Sequence, residues 1–131
     1  MAYSIIEFQG KNIRVHDLDL SVVCFLLMEK GRSTGSALLI GLFDVWSDSI
    51  MFDGPGCIDL HLDAGLVKAE ILQELKNLID TTMQDLNMIS DIYPKDKLNL
   101  ILAKAKIRLE NDYRIDLICG VLDEFRRLVN Q

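Results

Sequence analysis

The first fifteen residues alternate between apolar and polar side chains, which predicts a β-hairpin. Residues 3–8 read Tyr-Ser-Ile-Ile-Glu-Phe and residues 13–15 read Ile-Arg-Val. β-branched and aromatic residues of this kind favour strands. Gly10 lies between the two runs and suits the first central position of a type II′ turn. We therefore expect two antiparallel strands joined by a tight turn.

Two apolar runs follow, and each predicts a buried helix. Residues 20–28 are apolar nearly all round, which is typical of a helix inside the core. Asp17 or Asp19 is available to cap the start of this helix, and Gly31 to end it. A second helix is predicted from about residue 36 to residue 46, where Gly41 would allow close packing against the first helix. A buried strand in either place is the alternative, because short apolar runs fit both structures.

The pattern changes after residue 46. Residues 47–56 contain Ser, Asp, Gly and Pro, and they predict an irregular segment. Residues 57–63 alternate strictly and predict a half-buried strand. Its two faces carry Ile58, Leu60 and Leu62 toward the core, and Asp59, His61 and Asp63 on the opposite side.

The second half of the chain has the 3.6-residue period of amphipathic helices. Apolar stripes run through residues 68–86, through a helix that begins at Pro94 and reaches Leu109, and through residues 115–129. These stripes predict three long helices. The fold class is therefore a helix-dominated α+β domain spanning residues 1–131, in which an N-terminal β-hairpin and one further strand pack with about five helices.

Composition and charge exclude several functions. The chain has 131 residues with 14 basic and 20 acidic side chains, so it lacks the broad basic face that nucleic-acid binding requires. Its apolar runs are far shorter than the roughly 20 residues of a membrane-spanning helix, and no signal peptide is evident. The three cysteines include no C-x-x-C pair. We expect a cytoplasmic protein with neither a nucleic-acid nor a membrane partner.

The negative charge is concentrated in one stretch. Residues 33–67 contain five Asp and no Lys or Arg, whereas the whole chain has a formal net charge of −6. Aromatic anchors within a charged surface are typical of protein-binding sites. A purely solvated acidic surface is the alternative, and Trp46 also fits a core position. The predicted partner-binding residues are Asp44, Trp46, Asp48, Phe52, Asp53, Asp59, His61 and Asp63.

One group of residues suggests chemistry. On a strand, Asp59, His61 and Asp63 would share a face and could hold a divalent metal, or a carboxylate could orient the histidine as a base. Such a site needs a further ligand, and His16 is the only other histidine. The exposed face of an ordinary strand has the same pattern. We therefore expect no catalytic residue, no metal and no cofactor.

A small, acidic, cysteine-poor chain without catalytic motifs resembles bacterial immunity proteins. The resemblance extends to the composition of the whole chain, without a shared motif. It implies a non-enzymatic inhibitor that neutralises a cognate toxin, often a nuclease, by occluding a basic surface. Two other functions remain open at this point. They are a metal-assisted hydrolase that uses Asp59, His61 and Asp63, and a helical module that assembles into homo-oligomers such as a homodimer.

Overall fold

Helices dominate the computed structural model, which describes residues 2–89 and 91–130. The predicted α+β class is confirmed. No helix within these residues is long and apolar enough to cross a membrane. The helices and strands, in chain order, are β1 (Tyr3–Phe8), β2 (Lys11–His16), α1 (Asp17–Ser33), α2 (Ile40–Phe52), α3 (Leu62–Gly65), α4 (Ala69–Asn87), β3 (Ile92–Tyr93), α5 (Lys95–Leu102), β4 (Tyr113–Arg114) and α6 (Ile115–Val129).

The N-terminal hairpin is confirmed, but its turn is not of the predicted type. Strands β1 and β2 pair antiparallel, with Phe8 opposite Lys11 at the turn. Gln9 and Gly10 both have positive φ angles, of 51° and 79°. Two positive φ angles define a type I′ turn, whose twist matches that of the strands. Gly10 thus occupies the second central position, and Gln9 accepts the left-handed conformation at the first.

Helix α1 forms the centre of the molecule. Every residue from position 20 to position 28 is buried, as predicted, and α1 contacts β2, α2, α4, α5 and α6. Gly31 does not end this helix, which continues to Ser33. A Cβ added at Gly31 would lie 2.6 Å from the ring of Phe43. Gly31, and not Gly41 as predicted, is therefore the glycine that lets α1 and α2 pack closely.

Helices α4 and α6 pack against each other and against α1, and their apolar stripes were correctly predicted. The helix after Pro94 is shorter than predicted. It ends at Leu102, and the 3₁₀ turn Ala103–Ala105 follows it. The chain then returns, so that the side chain of Asn99 forms two hydrogen bonds with the backbone of Leu109. Leu109 is therefore carried into the core by a segment that folds back on α5, and it is not part of a continuous helix.

The strand predicted at residues 57–63 is wrong. Residues 57–61 are irregular, and Leu62–Gly65 forms the short helix α3. The further strands lie elsewhere, in the two-residue pair β3–β4. The alternation itself is real, because residues 58, 60 and 62 are buried while residues 59, 61 and 63 are exposed. The irregular segment predicted from residue 47 is also wrong in its first part, since α2 continues to Phe52.

Candidate functional site

Helix α2 has two faces of different character. Its inner face packs on the core, whereas several of its exposed side chains are apolar. The exposed fraction is 75% for Phe52, 59% for Ile40 and 39% for Val45. An amphipathic surface helix normally directs charged and polar residues to the solvent. We define the outer face of α2 as its exposed residues Ile40, Gly41, Asp44, Val45, Asp48 and Phe52.

The outer face carries two acidic residues one helical turn apart. Asp44 and Asp48 are both exposed, and neither has a basic side chain within 4.0 Å among the residues that the structure describes. Like charges at positions i and i+4 destabilise a helix by roughly 0.2–0.5 kcal/mol. This cost is not offset by a neighbouring cation.

The outer face also contains a glycine in the first turn of α2, where Gly41 is the second residue of the helix. Gly41 is exposed, and a Cβ added there would meet nothing within 4 Å. Glycine is among the weakest helix formers. The described part of the chain offers no packing reason for it. The outer face therefore combines three unfavourable features, which are like charges, a glycine and exposed apolar side chains.

The segment that follows α2, residues 53–61, lies against this helix, and we call it the acidic loop. Ser49 Oγ donates a hydrogen bond to Asp53 Oδ2 at 2.6 Å and accepts one from the backbone N–H of Asp59 at 2.8 Å. Trp46 Nε1 donates to the carbonyl of Leu60 at 3.1 Å. The carboxylate of Asp53 and the backbone of Asp59 are thus held beside the last turns of α2.

The other side of the acidic loop is bound to the hairpin and to α1. The N–H of Gly56 donates to Asp17 Oδ2 at 2.8 Å, and the N–H of Ile58 donates to Ser4 Oγ at 3.1 Å. Ser4 Oγ in turn donates to Asp17 Oδ1 at 2.6 Å. These side chains take the bonds that a neighbouring strand would make, so the segment alternates in burial without joining a sheet. The loop is fixed in place by side chains.

One predicted partner-binding residue is structural. Trp46 is only 1% exposed, donates to Leu60 and packs against Phe43 with ring centroids 5.3 Å apart. A buried indole makes no contact with an approaching protein, so its assignment to the partner-binding set is wrong and its alternative core assignment is correct. The other predicted residues are exposed, namely Asp44, Asp48, Phe52, Asp53, Asp59, His61 and Asp63.

The three residues considered for chemistry do not assemble into a site. His61 Nδ1 lies 3.6 Å from Asp59 Oδ2, with both side chains more than half exposed. Asp63 instead accepts a hydrogen bond of 2.9 Å from the N–H of Gln9 at the hairpin turn. Across residues 2–89 and 91–130, no group of three or more His, Cys, Asp or Glu is placed to hold a metal ion. His16 packs edge-on against Tyr3, with ring centroids 5.2 Å apart.

The segment after α5, which contains Lys104, Lys106 and Arg108, borders the acidic residues at one end. The 3₁₀ turn that contains Lys104 contacts α2, and Ile107 lines a surface groove with Ile50 and Asp53. None of the described basic residues of this segment forms an ion pair with the acids of α2 or of the acidic loop. The acidic carboxylates therefore keep their charge available for another molecule.

Sequence reasoning missed three members of the outer face, namely Ile40, Gly41 and Val45, because it selected residues by charge and aromatic character. A helix continued to residue 52 places Leu38, Gly41, Val45 and Phe52 along one exposed line, at helical spacing. This signal was present in the sequence, but the serines at 47 and 49 suggested a loop. The chain matches no protein-family model, no curated protein and no solved structure to which it was compared, so the candidate site rests on its own geometry.

Proposed function

We propose that this chain is a non-enzymatic inhibitor of the immunity type, which neutralises a cognate bacterial toxin such as a nuclease. In this proposal the acidic face covers a basic surface of the toxin. We define the acidic face as the outer face of α2 together with Asp53, Asp59, His61 and Asp63. One observation carries the proposal, namely the three uncompensated features on the outer face of α2. Residues that lower stability are expected where binding requires them.

Charge supports a basic partner. The five Asp residues of the acidic face have no Lys or Arg within ion-pair distance in the part of the chain that the structure describes. An unneutralised field of one sign steers an oppositely charged protein and raises its association rate. The exposed ring of Phe52 lies beside this field and supplies the apolar contact that an interface centre needs.

The fixed acidic loop supports tight binding. Its backbone N–H groups are already bound to Asp17, Ser4 and Ser49 before any partner arrives. A loop that is ordered in the free protein loses little further entropy on association. Binding energy is then available for affinity, which an inhibitor needs.

We place this interaction in the cytoplasm. Cys24, Cys57 and Cys119 are free thiols, with Cys24 buried and Cys57 exposed. Thiols stay reduced in that compartment. Occlusion of a toxin surface needs no catalytic group of this chain.

The test is a binding titration against the protein encoded by the neighbouring gene. The variant Asp44→Lys/Asp48→Lys is compared with the control Asp80→Lys/Glu124→Lys. Asp80 and Glu124 are exposed on α4 and α6 and form no ion pair, so the control makes the same change of charge on another surface. We expect the acidic-face variant to associate at least about tenfold more slowly, with a difference that shrinks in high salt.

Three results would contradict the proposal. The first is a folded Asp44→Lys/Asp48→Lys variant that binds the neighbouring protein, and protects cells from it, as well as the wild type does. The second is one tightly held zinc or manganese ion per chain that is lost in His61→Ala, which would indicate the hydrolase. The third is a mass that rises with concentration while the neighbouring protein does not bind, which would indicate a homo-oligomeric module.

A further inference from the structure

The exposed residues along α2 repeat at the spacing of a helix–helix contact. Leu38, in the 3₁₀ turn just before α2, is followed by Gly41, Val45, Asp48 and Phe52, so successive members are three or four residues apart. We call this line the α2 stripe. All five residues are exposed. Alternating steps of three and four keep one side of a helix against a partner helix.

We propose that an amphipathic, basic α-helix of the partner lies along the α2 stripe and approaches α2 most closely at Gly41. This inference rests on the function proposed above and names the element that the acidic face binds. A helix that inserts anchors at i, i+3, i+4 and i+7 matches the stripe. An added β-strand instead needs a free strand edge, and α2 offers none.

Gly41 is the point of closest approach. Leu38 and Val45 are large and lie on either side of it along the stripe, while Gly41 itself carries no side chain. The gap between them accepts a side chain of a facing helix, as a knob enters a hole. This gives the glycine a role that the packing of the isolated chain does not provide.

Asp48 specifies the charge of the partner helix. It lies within the stripe, with Val45 and Phe52 as its neighbours in the line, so a covering helix removes its carboxylate from water. A buried carboxylate without a partner is strongly unfavourable, and a Lys or Arg opposite it forms a charge-assisted hydrogen bond. Asp44 lies one turn away on the acidic side and attracts a second base.

A second copy of this chain does not fit the stripe. A symmetric pairing through α2 would use the same patch on both molecules. The carboxylates of Asp44 and Asp48 would then meet their own counterparts, with no base of the stripe between them. Like charges facing each other across an interface suppress such a pairing. Charge complementarity therefore selects a basic helix of a different protein.

The probe is a synthetic peptide of three heptads, with leucine and alanine at the inward positions and lysine beside them. A scrambled peptide of the same composition, without helical periodicity, is the reference. Both are titrated into the ¹⁵N-labelled full chain. We expect the ordered peptide to shift the amide resonances of residues 38–52 and to bind about tenfold more tightly than the scrambled one. Equal binding of the two peptides would show that charge alone is recognised, and would overturn the inference.

A pair of glycine variants separates binding from folding. Gly41→Gln fills the gap in the stripe, and Gly120→Gln makes the same change on α6, where the glycine is also exposed with nothing within 4 Å of an added Cβ. Both variants should raise the melting temperature, because glutamine favours helix more than glycine does. Only Gly41→Gln should weaken binding of the ordered peptide, by about tenfold.

The outcomes distinguish this inference from the proposed function. If Gly41→Gln binds the ordered peptide like the wild type, the helix inference is wrong, whereas the proposed function stands if Asp44→Lys/Asp48→Lys still weakens binding to the neighbouring protein. If the charge reversal also has no effect on that binding, both are wrong. If the chain forms a dimer that Gly41→Gln dissociates, the occupant of the stripe is a second copy and the inference is overturned.

Discussion

Helices α2 and α6 both pack one face on the core, but their exposed sides differ in charge. On α6, Asp123 contacts Arg126 and Arg127 at 2.5 and 2.7 Å, and Asp116 contacts Arg114 at 2.5 Å. On α2, neither acid has a basic neighbour within 4.0 Å in the described structure. Each helix exposes one glycine, so the difference lies in unpaired charge and in the number of exposed apolar side chains.

The two helices differ in whether their exposed charges are paired within the chain. The ion pairs of α6 satisfy charges within the chain, although exposed pairs of this kind add little to stability. The exposed side of α2 leaves its charges unsatisfied and its apolar groups in water. Glu124 on α6 is also unpaired among the described residues, so α2 is distinguished by two adjacent unpaired acids together with its exposed apolar side chains, and this combination supports the binding role proposed above.

The largest predicted effect compares a core residue of α6 with the exposed ring of α2. Leu122 is fully buried, and Leu122→Ala should lower the free energy of unfolding by about 2–5 kcal/mol. Phe52→Ala removes a larger side chain, but that ring is 75% exposed, so the change should stay within about 0.5 kcal/mol. Urea denaturation measures both. A large loss in Phe52→Ala would mean that the ring serves the fold.

The next effect concerns the hydroxyl that joins α2 to the acidic loop. Ser49→Ala removes the partner of Asp53 and leaves the N–H of Asp59 unsatisfied, so it should cost about 1–3 kcal/mol. Hydrogen exchange at the amide of residue 59 should accelerate. Ser47→Ala is the matched control, because this buried neighbour donates only to the sulfur of Met51. Equal effects of the two variants would mean that the loop is held by other contacts.

Charge reversal should act with opposite sign on the two helices. Asp48→Lys places a base four residues after Asp44, which replaces repulsion by attraction, so stability should rise by about 0.5 kcal/mol. Asp123→Lys removes both ion pairs of Asp123 and should lower stability by about 0.5–1 kcal/mol. Thermal unfolding at low salt measures both changes. A loss of stability in Asp48→Lys would remove the argument that α2 sacrifices stability.

The smallest effect is a pH dependence near the start of α1, where this helix meets the residue pair before α6. Asp19 in α1 accepts a hydrogen bond from the hydroxyl of Tyr113, and burial raises the pKa of Asp19 while the charge of His16 lowers it by less. A raised pKa means that the native state favours the proton, so this group adds stability as the pH falls. Asp19→Asn should be more stable than the wild type at neutral pH. That advantage should shrink as the pH falls toward the ordinary value of 3.8.

The reverse trend for Asp19→Asn, with an advantage that grows in acid, would contradict this sign. Unfolding followed at several pH values in both proteins provides the measurement. The difference between the two curves isolates Asp19, since the other carboxyl groups are common to both.

The helices of this fold could be predicted from the sequence because their apolar stripes are long. The stripes of α4 and α6 repeat over several turns, and the run in α1 is too apolar for a surface position. The hairpin was predictable from its strand residues. The type of its turn was not predictable, because glycine suits the first central position of a type II′ turn and also both central positions of a type I′ turn.

The acidic loop could not be predicted, for a physical reason. Period-two alternation reports which side chains are buried, and it does not report what binds the backbone between them. Side chains accept the hydrogen bonds of this backbone. Asp17 lies 39 residues before Gly56 and Ser4 lies 54 residues before Ile58, while Ser49 binds the N–H of Asp59. Such distant pairings leave no local pattern, so the alternation alone predicts a strand.

The end of α2 could not be predicted from local sequence either. Serine favours loops when its hydroxyl bonds to nearby backbone. Ser49 instead uses its hydroxyl on the loop that follows, and Ser47 faces the interior. As a result, charge identifies most of the candidate partner-binding residues, whereas the sequence pattern ends the second helix at about residue 46, before Asp48 and Phe52.

The long-range bonds of the acidic loop have a consequence for the order of folding. The bond between Ser4 and Ile58 of the loop joins positions 54 residues apart, as does the bond between Gln9 and Asp63 just after the loop. Closing such large loops costs entropy, so contacts of this span form after local helices and hairpins exist. The loop carboxylates are therefore expected to reach their final places after the hairpin and the individual helices have formed. A partially synthesised chain that lacks this segment would have α2 without the loop carboxylates, and recognition of the partner would then depend on completion of the domain.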